Sequence, residues 1–219
     1  GSNRFVFGVF HDASEFTRSP VLETTFLYLD AEPYQVSAET VANFVQWPNG
    51  RTGVYVTQVT FDLEGRWGLV VQVPSKKEIL SVAQVGFLVK QTSSSPSLGR
   101  SVPPSKNRTA RDVSDLSEIT TSRTPDPDLY QMTISQAVSS GRPTVVTFAT
   151  PAFCNTSTCG PQVDVVASIK NRYKGRANFI HVEVFDNPMD MNEDFSKARL
   201  SPIMAEWGLL VEPFTFVLD

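Results

Sequence analysis

Apolar and polar residues alternate in short runs along the first part of the chain. Residues 4–10, 22–29, 53–61 and 67–73 each send successive side chains to opposite faces, the pattern of half-buried strands. A further run over 80–89 closes the series. β-Branched and aromatic residues fill these runs, and turn residues separate them. Asp62-Leu63-Glu64-Gly65-Arg66 has the Asp/Gly chemistry of a hairpin connection between its two flanking strands. Together the runs predict an all-β antiparallel sandwich over residues 4–90.

The alternation stops at residue 91. From 91 to 128 Ser, Thr, Pro and Arg dominate, aromatic residues vanish, and Pro103-Pro104 and Thr124-Pro125-Asp126-Pro127 punctuate the stretch. Such a composition offers little apolar surface to offset the entropy of ordering it, so the segment is expected to be a linker draped over a domain surface. Over 129–219 the pattern becomes mixed. A short helix over 133–138 is stopped by Gly141 and Pro143, and a strand ends at Ala149. Val163, Val166, Ile169 and Tyr173 then recur at helical spacing. A strand over 178–185, a helix over 201–209 with Pro202 in its first turn and Gly208 at its end, and a strand over 214–218 complete the chain. Alternating strands and helices predict an α/β layer with parallel pairing.

Composition narrows the function classes. Of the 219 residues 41% are hydrophobic and 19% charged, with a net charge of −4, which argues against a nucleic-acid surface needing a clustered basic face. No apolar run approaches the ~20 residues of a membrane helix. Gly1-Ser2-Asn3 reads as a tag remnant, so a signal peptide or membrane anchor is expected only in a segment removed ahead of Arg4. Two cysteines and two histidines are too few for a stapled scaffold or an obvious zinc cluster. No metal and no cofactor is expected from this count.

The cysteines themselves are the richest signal. Cys154 and Cys159 lie between the strand ending at Ala149 and the following helix, separated by Asn155-Thr156-Ser157-Thr158. Unsatisfied N–H groups at a helix start stabilise a thiolate and lower its pKa. The pair is read as a redox couple, with an inert structural disulfide, two buried thiols and metal ligation as the alternatives. Gly160-Pro161 makes Cys159 the cysteine nearer the first helical turn, leaving open which sulfur is the nucleophile. His181 lies on a strand expected to be central. It is read either as a proton relay or as a buried neutral imidazole satisfied by a hydroxyl or carbonyl. Glu183 shares its face two residues on and is a candidate partner. His11 is read as a turn residue, and the acidic stretch from Asp186 to Asp194 as a solvated loop without calcium-site spacing.

The order strand, cysteine pair, helix, strand ending in Asp186-Asn187-Pro188, helix, then Val211-Glu212-Pro213-Phe214 resembles the thioredoxin-like family over about the last ninety residues (129–219). The resemblance implies thiol–disulfide exchange with protein thiols or disulfides, Cys154 as attacker and Cys159 as resolver. It also implies a cis bond before Pro213, with Pro213 and Phe153 in contact with the substrate. Two departures stand out. Four residues separate the cysteines where that family has two, and Phe153 replaces its tryptophan. A Cys-x-x-x-Cys pair with a histidine marks the Sco-like copper carriers, a weaker likeness because the spacer here is one residue longer and His181 lies inside a strand. The N-terminal part, through Phe61-Asp62 and Gly65-Arg66-Trp67-Gly68, resembles small bacterial immunoglobulin-like domains of the YtkA type, which implies an interaction or spacing module and an extracytoplasmic, bacterial setting. The family continues with a strand and helix beyond the position of Asp219. The open flank of the last strand is therefore expected to be covered by residues 91–128, by the β domain, or by a second copy in a homodimer.

Overall fold

The computed structural model describes residues 1–10, 16–47, 50, 52–74, 81–154 and 158–219, so His11, Leu80 and most of the spacer between the cysteines lie outside the described residues. The chain forms two compact units, Gly1–Thr92 and Ser93–Asp219.

The first unit is a curled antiparallel sheet of six strands: β1 (Ser2–Phe7), β2 (Val21–Tyr28), β3 (Gln35–Gln46), β4 (Gly53–Thr60), β5 (Gly65–Val73) and β6 (Ser81–Val89), in the order β1-β4-β3-β2-β5-β6. Alternation does the sorting: Leu22, Thr24 and Phe26 on β2, and Trp67, Leu69, Val71 and Val73 on β5, face the core. The curl is visible in the aromatic cluster. Phe5 of β1 and Phe87 of β6, from opposite ends of the strand order, have ring centroids 5.0 Å apart, and both meet Phe26 and Phe61.

The hairpin expectation is corrected here, and one strand was not anticipated. The 62–66 segment is not a hairpin, because β3 and β2 stand between β4 and β5 in the sheet. It crosses between non-adjacent strands, and Gly65, at φ +128°, lets the backbone pass close to Asp30. The Arg66 backbone N–H and Nε both donate to the Asp30 carboxylate, at 2.7 and 2.6 Å. Strand β3 had no apolar alternation to announce it. It forms because β2 and β4 supply ladder partners on both sides, along 35–43 and 43–46 respectively.

The second unit is built on a small mixed sheet, ordered β8-β7-β9. Central β7 (Thr144–Ala149) runs parallel to β8 (Asn178–Glu183) and antiparallel to β9 (Phe214–Leu218). Among the described residues four α-helices accompany it: α1 (Ile134–Ser139), α2 (Cys159–Arg172), α3 (Pro188–Glu193) and α4 (Pro202–Glu206). On one face Val146 and Phe148 pack with Ile134, Met204, Trp207 and Leu209. On the other, Val145 and Ala149 meet Val163 and Val166 of α2 together with Ile119, Leu129 and Tyr130. Among the described residues no strand pairs with the outer flank of β9, and residues 91–128 contribute none.

The Ser/Thr/Pro-rich stretch is no free linker: from Ser93 it is part of this unit, and Ser105, Asn107, Thr109, Ile119, Thr120 and Thr121 are buried. Polar bonds do what apolar burial could not. The Ile134 N–H donates to Asn107 Oδ1 (2.7 Å) and Trp207 Nε1 donates to Ser105 Oγ (3.0 Å). Gly208, at φ +62°, leaves room for the Ser94 backbone, which any Cβ there would strike. The acidic stretch after Asn187 is likewise ordered. Pro188 opens α3, and Asp194 caps a following 3-10 turn by accepting from the Ser196 N–H.

Candidate functional site

Strand β7 ends at Ala149, and the chain turns through Thr150 and Pro151 before reaching Cys154. Cys159 is the first residue of α2. The two form a disulfide with Cα atoms 5.8 Å apart, within the usual span of bridged cysteines. Their access differs sharply. Cys159 is fully buried among Ile119, Leu129, Val163 and Val166, whereas Cys154 is half-buried. Of the two, Cys154 is the more accessible residue.

A carboxylate not singled out from the sequence completes the arrangement. Cys154 Sγ, Cys159 Sγ and a carboxylate oxygen of Glu212 all lie within 4.8 Å of one another. The Thr150 backbone N–H donates to Glu212 Oε2 (2.5 Å) and aims it at the turn. Burial pushes the Glu212 carboxyl above the usual carboxylate range. The signal for Glu212 was present in the chain, since it immediately precedes Pro213. The Glu212–Pro213 bond is cis, and the Glu212 carboxylate lies beside the two sulfurs. Phe153, next to Cys154, has its ring 5.5 Å from Phe195, which meets Phe185 at 5.9 Å. Phe195 is 50% exposed, so this aromatic row reaches the surface.

His181 and Glu183 form a separate polar cluster under the sheet end. The Tyr130 hydroxyl donates to His181 Nδ1 (2.7 Å), and His181 Nε2–H donates to the Ala149 carbonyl (2.9 Å). A carbonyl can only accept, so the tautomer is set and both ring nitrogens are occupied. Complete burial lowers the imidazole to a pKa of about 4 and keeps it neutral. Glu183 is not its partner. One Glu183 oxygen accepts from the Thr121 N–H (2.7 Å) and the Thr121 hydroxyl (2.9 Å), the other from the Val184 N–H (3.1 Å). Burial raises Glu183 to about 7, opposed by those hydrogen bonds and reinforced by the charge of Glu212. The Thr150 hydroxyl lies near both carboxylates but makes no hydrogen bond of good geometry. Tyr130 and Thr121 could not be found by motif, because their roles depend on partners 51 and 62 residues away.

With both His181 nitrogens engaged, a copper site built on the cysteines and this histidine has no free imidazole ligand. A cleft of about 240 Å³ is lined by Lys106, Arg108, His181, Glu183, Asp186 and Glu206, and by neither cysteine. Its mixed charge selects no ligand class. No helix among the described residues is long and apolar enough to cross a membrane. No protein-family model matches the sequence, and neither a curated protein nor a solved structure is significantly similar to it.

Proposed function

We propose that the second unit is a thioredoxin-like domain that exchanges thiol–disulfide bonds with partner proteins through Cys154 and Cys159. One observation carries this reading: a disulfide between a half-buried cysteine and a fully buried one, at the junction where β7 hands over to α2. The order β8-β7-β9, with parallel and antiparallel neighbours flanking the strand that leads to the cysteines, supports it. In the forward step a partner thiolate attacks Cys154 Sγ, the sulfur–sulfur bond breaks, and Cys159 leaves as a thiolate that takes up a proton. A second partner thiol then attacks the mixed disulfide. The partner becomes oxidised, and both cysteines end as thiols. Phe153, next to Cys154 in the chain, and Pro213, next to Glu212, would contact the partner's chain. His181 and Glu183 support the turn from beneath, through Ala149 and Thr121. The β unit serves as an immunoglobulin-like interaction or spacing module, and the protein works outside the cytoplasm, where disulfides persist.

A second reading, in which the bond is inert and the domain only binds, draws on the complete burial of Cys159. Equilibration with glutathione and dithiothreitol buffers separates the two. An exchanging pair has a potential above about −300 mV, and a structural one lies below it. Cys159→Ser should accumulate a mixed disulfide on Cys154 when offered an oxidised protein substrate. A potential below that limit together with no trapped adduct would overturn the exchange reading.

A further inference from the structure

We propose that the reduced cysteine pair and Glu212 form a zinc site that exists only when the disulfide is open. Three donors of the right chemistry already converge, with Cys154 Sγ, Cys159 Sγ and a Glu212 oxygen mutually within 4.8 Å. Tetrahedral zinc, with Zn–S near 2.3 Å and Zn–O near 2.0 Å, sets its donors about 3.5–3.8 Å apart. Breaking the sulfur–sulfur bond lets the sulfurs move out to that separation, and the carboxylate needs only a small approach. Four intervening residues fall within the spacing found between paired zinc cysteines.

The surroundings suit a metal ion as well as the donors do. The Thr150 N–H already holds Glu212 in place, the kind of outer contact that orients metal ligands. Cys154 and Glu212 are half-buried while Cys159 is fully buried. The half-buried members leave access for the ion and for a water molecule as fourth ligand. His181 is excluded, since Tyr130 and Ala149 hold both its nitrogens. Two thiolates with one carboxylate favour zinc over copper(I), which selects softer sets.

The chemistry balances with a phosphine as reductant. Phosphine, water and the disulfide give phosphine oxide and two thiols. Zinc then displaces the two thiol protons, two Zn–S bonds form, and the carboxylate oxygen and water fill the remaining positions. Re-oxidation by a disulfide such as oxidised glutathione, which leaves as two thiolates, re-forms the sulfur–sulfur bond and expels the ion, so disulfide and zinc exclude each other. The inference goes beyond partner exchange and needs only that the bond can be reduced in the folded protein.

The test uses the whole chain. It is reduced with a phosphine, freed of reductant without oxygen, assayed for thiols, and titrated with Zn²⁺ against a chromophoric chelator; Co²⁺ reports geometry by its absorption. The expected result is one zinc per reduced chain, none for the untreated protein, and a tetrahedral cobalt spectrum. Glu212→Gln should bind at least about tenfold more weakly with an unchanged thiol count, and Cys154→Ser should not bind. Two free thiols without stoichiometric zinc, or Glu212→Gln binding as tightly as the original, overturns the zinc site and leaves exchange standing. A folded protein that yields no thiols overturns both.

Discussion

The two units reach stability by different means. The first gathers Phe5, Phe26, Phe61, Trp67 and Phe87 inside a curled sheet, and its strands other than β3 announce themselves by alternation. The second joins a three-stranded sheet to a long irregular segment through buried hydrogen bonds of Ser105, Asn107 and Thr121. Apolar burial is roughly proportional to area and tolerant of which partner supplies it. A buried polar group demands one particular partner and costs free energy when that partner is lost. The first unit should therefore respond to lost volume and the second to lost hydrogen bonds.

The largest effect is expected in the apolar unit. Trp67 is fully buried, with its ring 4.9 Å from Phe61 and 5.4 Å from Tyr28. Trp67→Ala should destabilise that unit by about 3–5 kcal/mol, read from the denaturant midpoint. A cost near that of a surface substitution would mean that the aromatic cluster is not the core.

The polar unit should instead betray itself through pH. Burial raises Glu183 from 4.5 to about 7, so its contribution is complete below 4.5 and is lost as pH rises through 7. Burial lowers His181 from 6.5 to about 4, so its contribution is complete above 6.5 and is lost as pH falls through 4. The two slopes oppose each other between pH 4.5 and 6.5. Removing the carboxyl with Glu183→Gln should unmask the histidine, with stability falling by about 1–3 kcal/mol on acidification from pH 7 to 5. His181→Asn should show the reverse slope. Unfolding curves at the two pH values decide, and a flat Glu183→Gln profile would remove the buried histidine from the account.

A smaller effect tests the irregular segment. Asn107→Ala deletes the acceptor for the Ile134 N–H at the start of α1 and should cost about 1 kcal/mol, typical of a lost cap. Hydrogen exchange at Ile134 should accelerate in the same variant. Unchanged exchange there would make the segment a passive wrapping.

Legibility followed the same division. Strands β2 and β5, helix α1 and strand β9 could be read from periodicity and stop signals, because their own side chains report which face is buried. Strand β3 could not, since Ala, Glu, Asn and Gln dilute its pattern and its neighbours supply the ladder. The 62–66 segment was misread because Asp and Gly mark a turn without saying which strands it joins. Residues 93–128 looked like a linker because hydroxyls and amides that end up buried and paired are indistinguishable in composition from solvated ones.

The sequence by itself determined that a cysteine pair would stand between a strand and a helix, since both elements and the spacing are local. It also determined the apolar faces of most strands. Only the tertiary structure decided that Glu212 faces the sulfurs, that Tyr130 rather than Glu183 holds His181, and that Thr121 anchors Glu183. These pairings join residues more than fifty positions apart, and local periodicity records whether a side chain is buried but not which distant partner it meets.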